Sequence, residues 1–202
     1  MLKKYNKKIS ILDIGCSGGD KLLYLFNNGY LNTYGIEYAA NVFKSTWKQY
    51  PHLNIRKGNA ENLHMFHSNT FDLVYCCHLL EHLPHPELCV KETKRLLKKQ
   101  GKLVIGIPNG YNWNDIIMRG IQKLIYGKTD HLQAFSLDKI NRLLKQYDFK
   151  IEKIVSDWGS LDFLLDVRIN SRLLNLPKNY MYPIISKIYW TKIHFNIVAS
   201  KT

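Results

Sequence analysis

The sequence lacks any apolar run near the roughly 20 residues that a helical membrane span requires. It also lacks cysteine spacing of the metal-binding kind. Cys16, Cys76, Cys77 and Cys89 include no C-x-x-C pair, which argues against a structural zinc site and for reduced thiols packed in a core. No internal repeat or low-complexity linker breaks the chain. The N-terminus, MLKKYNKKIS, is basic, but no apolar core of signal-peptide form follows it, and its apolar run already reads as a strand. The expectation is a single cytoplasmic domain spanning residues 1–202. Acidic residues are scarce too: 16 Asp and Glu stand against 29 Lys and Arg, for a net charge of +13.

What is present is an ordinary globular balance, 46% hydrophobic and 22% charged, enough for one substantial core. The positive charge is uneven. Residues 1–10 hold Lys3, Lys4, Lys7 and Lys8 without an acid, and residues 91–102 hold Lys91, Lys94, Arg95, Lys98, Lys99 and Lys102 against Glu92 alone. Such clusters attract nucleic acid, an anionic membrane surface or a phosphorylated substrate. Abundant Lys, Asn, Ile and Tyr equally fit an AT-rich coding bias, so the charge by itself assigns no partner.

Strand-like and helix-like patterns alternate. Ile9, Ile11, Leu12 and Ile14 read as a buried strand. Gly15-Cys16-Ser17-Gly18-Gly19 turns the chain into a helix over 20–28 whose apolar face is Leu22, Leu23, Leu25 and Phe26. Further strands are expected at 31–37, 53–57, 71–76, 102–107, 149–155 and 195–200, and helices at 39–50, 85–100 and 135–147. The 85–100 helix should point Leu88, Val90, Thr93, Leu96 and Leu97 inward, and Ser136 should cap the 135–147 helix. The turn 58–62 should run into a short helical piece. This alternation predicts an α/β fold with a parallel, doubly wound sheet. Two stretches, 109–134 and 156–190, are left over. Both follow strands, where such folds attach substrate-covering segments, and the second is apolar enough to fold as a small cap.

A glycine turn between strand and helix lets the backbone approach a ligand and aims free helix N–H groups at it. Here the turn reads Asp13-x-Gly15-x-Ser17-x-Gly19. It resembles the D-x-G-x-G-x-G first motif of class I S-adenosylmethionine-dependent methyltransferases, with Ser17 in place of the middle glycine. The resemblance covers roughly 9–155 and 190–200. It implies a Rossmann-like methyltransferase fold: a mostly parallel seven-stranded sheet with a reversed last strand. It also implies S-adenosyl-L-methionine as cofactor and S-adenosyl-L-homocysteine as product. Glu37 ends the second strand about twenty residues on, where a carboxylate can accept from both ribose hydroxyls. Tyr38 could pack on the adenine. Asn59 could take the adenine amino group, with Ala60 and Glu61 beside it, although Asn59 also suits a simple Asx turn. The cofactor-binding set implied is Asp13, Gly15, Cys16, Ser17, Gly19, Glu37, Tyr38, Asn59, Ala60, Glu61, Cys77 and His78.

The run FDLVYCCHLLEHLPHPELCVKETKRLLKKQGKLVIGIPN resembles the fourth-strand region of methyltransferases acting on quinone precursors, sugars and other small molecules. It implies that Cys77 and His78 lie at the methionine end of the cofactor, and that Glu81 and His82 face the active site. An acceptor that must lose a proton needs a base. His78, His82, His85 and His131 are candidates; His82 is the first choice and His131, in DHLQAFS, the second. Ubiquinone-pathway O-methyltransferases and small-RNA 3′-end 2′-O-methyltransferases carry metal ligands in an E-x-x-E-H run. In His78-Leu79-Leu80-Glu81-His82 the first Glu is His78. That substitution disfavours Mg²⁺, which prefers oxygen, so no metal is assigned, while a softer ion stays open. The leading expectation is O-methylation of a small molecule or glycan, a lipid-linked or anionic one included. The alternatives are an RNA 2′-O-methyltransferase and a non-catalytic S-adenosylmethionine-binding regulator.

Overall fold

A computed structural model describes residues 6–110, 131–157 and 194–202, together with a few positions between 116 and 127. The strands are β1 (Ile11–Ile14), β2 (Thr33–Glu37), β3 (Asn54–Lys57), β4 (Phe71–Cys77), β5 (Leu97–Pro108), β6 (Phe149–Asp157) and β7 (His194–Lys201). They form one sheet in the order β3-β2-β1-β4-β5-β7-β6. The first five run parallel, and β7 lies antiparallel between β5 and β6. This is the expected doubly wound sheet with its reversed last strand. β1 is buried along its whole length, as a central strand covered on both faces must be.

The described helices are α1 (Asp20–Asn27), α2 (Ala40–Gln49), α3 (Pro86–Leu96) and α4 (Leu137–Gln146). Ser136 caps α4, its hydroxyl oxygen accepting from the Lys139 amide at 3.1 Å. α3 departs from expectation at its end. The chain leaves the helix after Leu96, because Leu97 is extended, buried and paired opposite Phe71 of β4. A non-local strand pairing overrides the local helical pattern there. Leu88 also points outward, 39% exposed, while Cys89, Val90, Thr93 and Leu96 share the buried face.

The helical piece expected after 58–62 is absent. Asn59 and Asn62 turn the backbone through their own side chains, with Asn59 Oδ1 accepting from Glu61 N at 2.9 Å and Asn62 Oδ1 from His64 N at 3.4 Å. Such Asx contacts compete with helix. A clasp from α3 fixes this loop: Glu92 accepts from Leu63 N at 2.8 Å, and Arg95 donates to the Phe66 and Leu63 carbonyls at 2.9 and 3.0 Å. Hydrogen bonding to Arg95 holds the Glu92 carboxyl below the usual carboxylate range. The insertions expected at 109–134 and 156–190 fall largely outside the described residues, and β6 extends through the first two positions of the second.

Gly35 of β2 lies directly under α1. A Cβ there would sit 2.4 Å from Leu22 Cδ1 and 2.8 Å from Cys16 Sγ. Gly35→Ala should therefore cost about 1–3 kcal/mol through overpacking. Urea unfolding should show a lowered midpoint with an unchanged slope; an unchanged midpoint would mean that α1 shifts away from β2 freely.

Candidate functional site

The strand order reverses between β1 and β4, so the loops leaving their C-terminal ends part and open a crevice. The turn after β1 forms one wall. Gly15, Ser17 and Gly19 have φ of 74, 47 and 78°, a conformation natural to glycine and costly for serine. The turn is tied down all the same. Gly15 N and Cys16 N both donate to the Ile36 carbonyl, at 2.8 and 3.0 Å. Ser17 N donates to Glu37 Oε2 at 2.9 Å, and Thr46 Oγ1 donates to the Ser17 carbonyl at 3.0 Å. Glu37 Oε1 accepts from Ala39 N at 2.8 Å. The carboxylate thus stands at the end of β2 with each oxygen fixed by an amide, and each oxygen has a further lone pair for a ligand hydroxyl. At Gly18 a Cβ would meet nothing closer than Asp20 Oδ2 at 3.9 Å, so that side of the turn is open for close approach.

Asp13 is 1% exposed and makes an ion pair with Lys21 of α1, Oδ1 to Nζ, at 2.7 Å. Burial pushes the Asp13 carboxyl above its ordinary range, and the Lys21 cation pulls it back part of the way. Lys21 also lies 4.9 Å from the centre of the Tyr75 ring. Sequence reading missed Lys21. The signal was there, since a residue in the first turn of α1 folds back over the end of β1.

The other expected cofactor residues divide. Tyr38 is 72% exposed beside Glu37, at the mouth. Asn59 spends its carbonyl oxygen on the Asx turn, and Glu61 Oε1 accepts from His85 N at 2.7 Å. Both therefore have structural work of their own, and Ala60 is buried between them. Cys16 offers its amide to Ile36 and sends its side chain into a core with Leu22, Leu53 and Ile55. Burial, with Asp13 and Glu37 nearby, pushes its thiol up to about 12, so it is no nucleophile. Burial likewise raises the Cys77 thiol. All four cysteines are free.

The loop after β4 forms the other wall. His78 adopts φ 50° and donates its amide to the Gly106 carbonyl at 2.8 Å. A 3₁₀ turn, Leu80–His82, follows. Glu81 in this turn is 1% exposed, and neither carboxylate oxygen has a hydrogen-bond partner among the described residues. Two imidazoles come near without bonding: His78 Nδ1 lies 3.6 Å and His82 Nε2 3.9 Å from Glu81 Oε1. The Glu81 carbonyl accepts from Gln133 N at 3.0 Å, which brings the 131–133 segment alongside. The His131 ring stands edge-on to His82, centroids 4.9 Å apart. Glu81, His82 and His131 thus converge, each with a donor atom within 4.8 Å of the others. His82 and His131, 49 positions apart in sequence, are brought together as a pair. His85 instead turns to Glu87, 3.4 Å away.

The Asp13–Lys21 pair carries a prediction. Lys21→Met would leave a buried carboxylate unpaired. The loss should be about 1–3 kcal/mol at neutral pH, less than the full cost of a fully buried pair because Lys21 is partly solvated. A folded pKa raised above the unfolded one stabilises below the unfolded pKa and is lost as pH rises through the folded value. The deficit of Lys21→Met against wild type should therefore shrink as pH falls toward and below the carboxylate range. Thermal melts from pH 7 to pH 4 check this, roughly spanning that range; a constant deficit would mean that Asp13 is not the group left exposed to the loss.

Comparison with known proteins bears on the same residues. The family described as "Methyltransferase domain" matches residues 12–105, the span from β1 through β5. A ubiquinone biosynthesis O-methyltransferase of Glaesserella parasuis is 30% identical over 164 residues, covering 75% of this chain and 68% of that protein. An uncharacterised protein of Methanocaldococcus jannaschii is 34% identical over 110 residues, 54% of this chain and 46% of that one. Against most of these curated relatives the chain matches about half of their length. A solved S-adenosylmethionine-dependent methyltransferase from Methanosarcina mazei superposes with a TM-score of 0.69 at 19% identity, over 99% of this chain and 95% of that one. The pinned Glu37, the open Gly18 side and the positive-φ turn fit the cofactor of this family. The chain belongs to the class I S-adenosyl-L-methionine-dependent methyltransferase superfamily.

Proposed function

We propose that this chain methylates an oxygen atom of a small molecule. The observation that carries the reading is the convergence of Glu81, His82 and His131 on the β4 side of the crevice, across from the glycine turn. Bound in that crevice, S-adenosyl-L-methionine supplies a methyl group on a positively charged sulfur that is already a good leaving group. The protein's part is then positional: orienting the acceptor is worth about 7–11 kcal/mol. A hydroxyl acceptor must also give up a proton as it is methylated. His82 and His131 are the proposed catalytic residues, placed to deal with that proton. Glu37 would hold the ribose hydroxyls, Tyr38 would cover the adenine, and the open Gly18 side of the 15–19 turn would let the cofactor come close to the backbone. Asp13 acts through Lys21 and the turn. The O-methyltransferase name of the Glaesserella parasuis relative supports oxygen as the target atom.

No comparable observation favours RNA. Lys98 pairs with Asp72 at 2.8 Å, Lys94 lies 3.9 Å from Asp148, and Lys102 pairs with Glu152. Much of the 91–102 charge is thus already answered by acids of this chain.

Two outcomes are expected. Glu37→Ala removes hydrogen bonds made by a charged group, worth about 1.5–3 kcal/mol each, so calorimetry should show S-adenosylhomocysteine binding at least about tenfold weaker. Unchanged affinity in a folded variant would remove Glu37 from the cofactor site. For the reaction, the protein is incubated with methyl-labelled S-adenosylmethionine and a panel of hydroxylated aromatic and sugar acceptors. Label should pass to a hydroxyl oxygen, and His82→Ala should lower kcat by about 10²–10⁴ while S-adenosylhomocysteine affinity holds. Tight cofactor binding with no transfer to any acceptor would favour the regulatory alternative.

A further inference from the structure

Outside the Glu81–His82–His131 cluster, a cavity of about 270 Å³ opens between the start of α3 and one stripe of α4. Part of its lining is apolar: Pro86 and Phe135 are buried and Leu143 is half-buried. Its charge is mostly positive. Lys139 and Arg142 of α4 stand against Glu87 alone, and the Glu87 carboxylate lies 3.4 Å from the His85 ring. α3 also begins here without a side-chain cap, so its amide end adds to the positive potential.

The two cations differ in what holds them. Lys139 Nζ donates to Gln133 Oε1 at 3.1 Å and to the Ala134 carbonyl at 3.0 Å, and it stands 4.6 Å from the centre of the Phe135 ring. It thereby ties down the segment that carries His131. Arg142 is exposed and makes no hydrogen bond or ion pair among the described residues. Its planar fork matches a carboxylate or phosphate through two parallel hydrogen bonds.

We propose that this cavity binds a carboxylate or phosphate carried on a small apolar body. Arg142 takes the anion, Lys139 and the α3 end supply the field, and Phe135, Pro86 and Leu143 contact the body. Gln133 links the cavity to the cluster: its side chain lines the one, and its amide donates to the Glu81 carbonyl in the other. His131 is two residues earlier, at most about 7 Å away along an extended chain. One substituted ring spans such a distance. The anion therefore belongs to the methyl acceptor. That assignment rests on the methyl-transfer reading, whereas binding in the cavity does not.

Binding is tested by ligand-observed NMR titration of the full chain without cofactor. The probes are benzoate and phenyl phosphate, with benzyl alcohol as the neutral counterpart. At least one anion should bind with Kd below about 1 mM, and benzyl alcohol about tenfold more weakly or worse. Arg142→Gln should weaken the anion by about tenfold or more, through loss of a charge-assisted contact. Lys145→Gln, which removes an exposed cation of α4 outside the cavity, should keep wild-type affinity. Circular dichroism checks that both variants fold. Failure of both anions to bind below about 1 mM would overturn the proposal. Equal binding of benzyl alcohol, or wild-type affinity in Arg142→Gln, would overturn it too.

The methyl-labelled assay then identifies the owner of the anion. Hydroxybenzoate should show a KM at least about tenfold below that of hydroxybenzyl alcohol, and Arg142→Gln should remove that preference with kcat little changed. No preference would mean that the anion belongs to an effector, and the acceptor assignment would fall. Anion binding with no methyl transfer to any acceptor would leave the site standing and remove the methyltransferase reading instead.

Discussion

The site depends on one close approach. A Cβ on Gly15 would stand 3.1 Å from Leu79 Cδ1, and Gly15 itself holds φ 74°. Only glycine meets both demands at once. That contact presses the loop after β4 against the turn after β1. It brings the Leu80–His82 turn into the crevice that the 15–19 turn lines. The two walls of the crevice are thereby parts of one packed unit, though they come from segments about sixty residues apart.

The polar groups of the two walls differ in how they are satisfied. On the β1 side the carboxylates and the turn are tied down: Asp13 to Lys21, Glu37 to the Ser17 and Ala39 amides, the Ser17 carbonyl to Thr46. Such a turn is preorganised and changes little when a ligand arrives. On the β4 side a buried carboxylate lacks hydrogen-bond partners among the described residues. One wall is built to hold a fixed shape, and the other keeps binding capacity in reserve. That contrast fits a division between a constant cofactor and a reacting acceptor.

The legible parts of the fold were those fixed by local pattern. Branched apolar runs marked the strands, Gly15 to Gly19 marked the turn, and Ser136 marked the start of α4. Glu37 was legible as the end of β2, where a lone acid closes the strand. What escaped was non-local. The end of α3 is set by Leu97 pairing with Phe71, which no window of sequence contains. Lys21 finds Asp13 only when α1 folds over β1. Asn59 had two readings, an adenine contact and an Asx turn, and its carbonyl oxygen makes the Asx turn. Glu81 was visible as a residue type, but its burial was not, because what covers it comes partly from the distant 131–133 segment.

The most direct test of the account is a crystal structure of the protein with S-adenosylhomocysteine. The account places the ribose hydroxyls on the Glu37 carboxylate and the sulfur at the crevice face shared with Glu81, His82 and His131. A ligand bound away from the β1–β4 crevice, or one whose sulfur points away from that cluster, would contradict it.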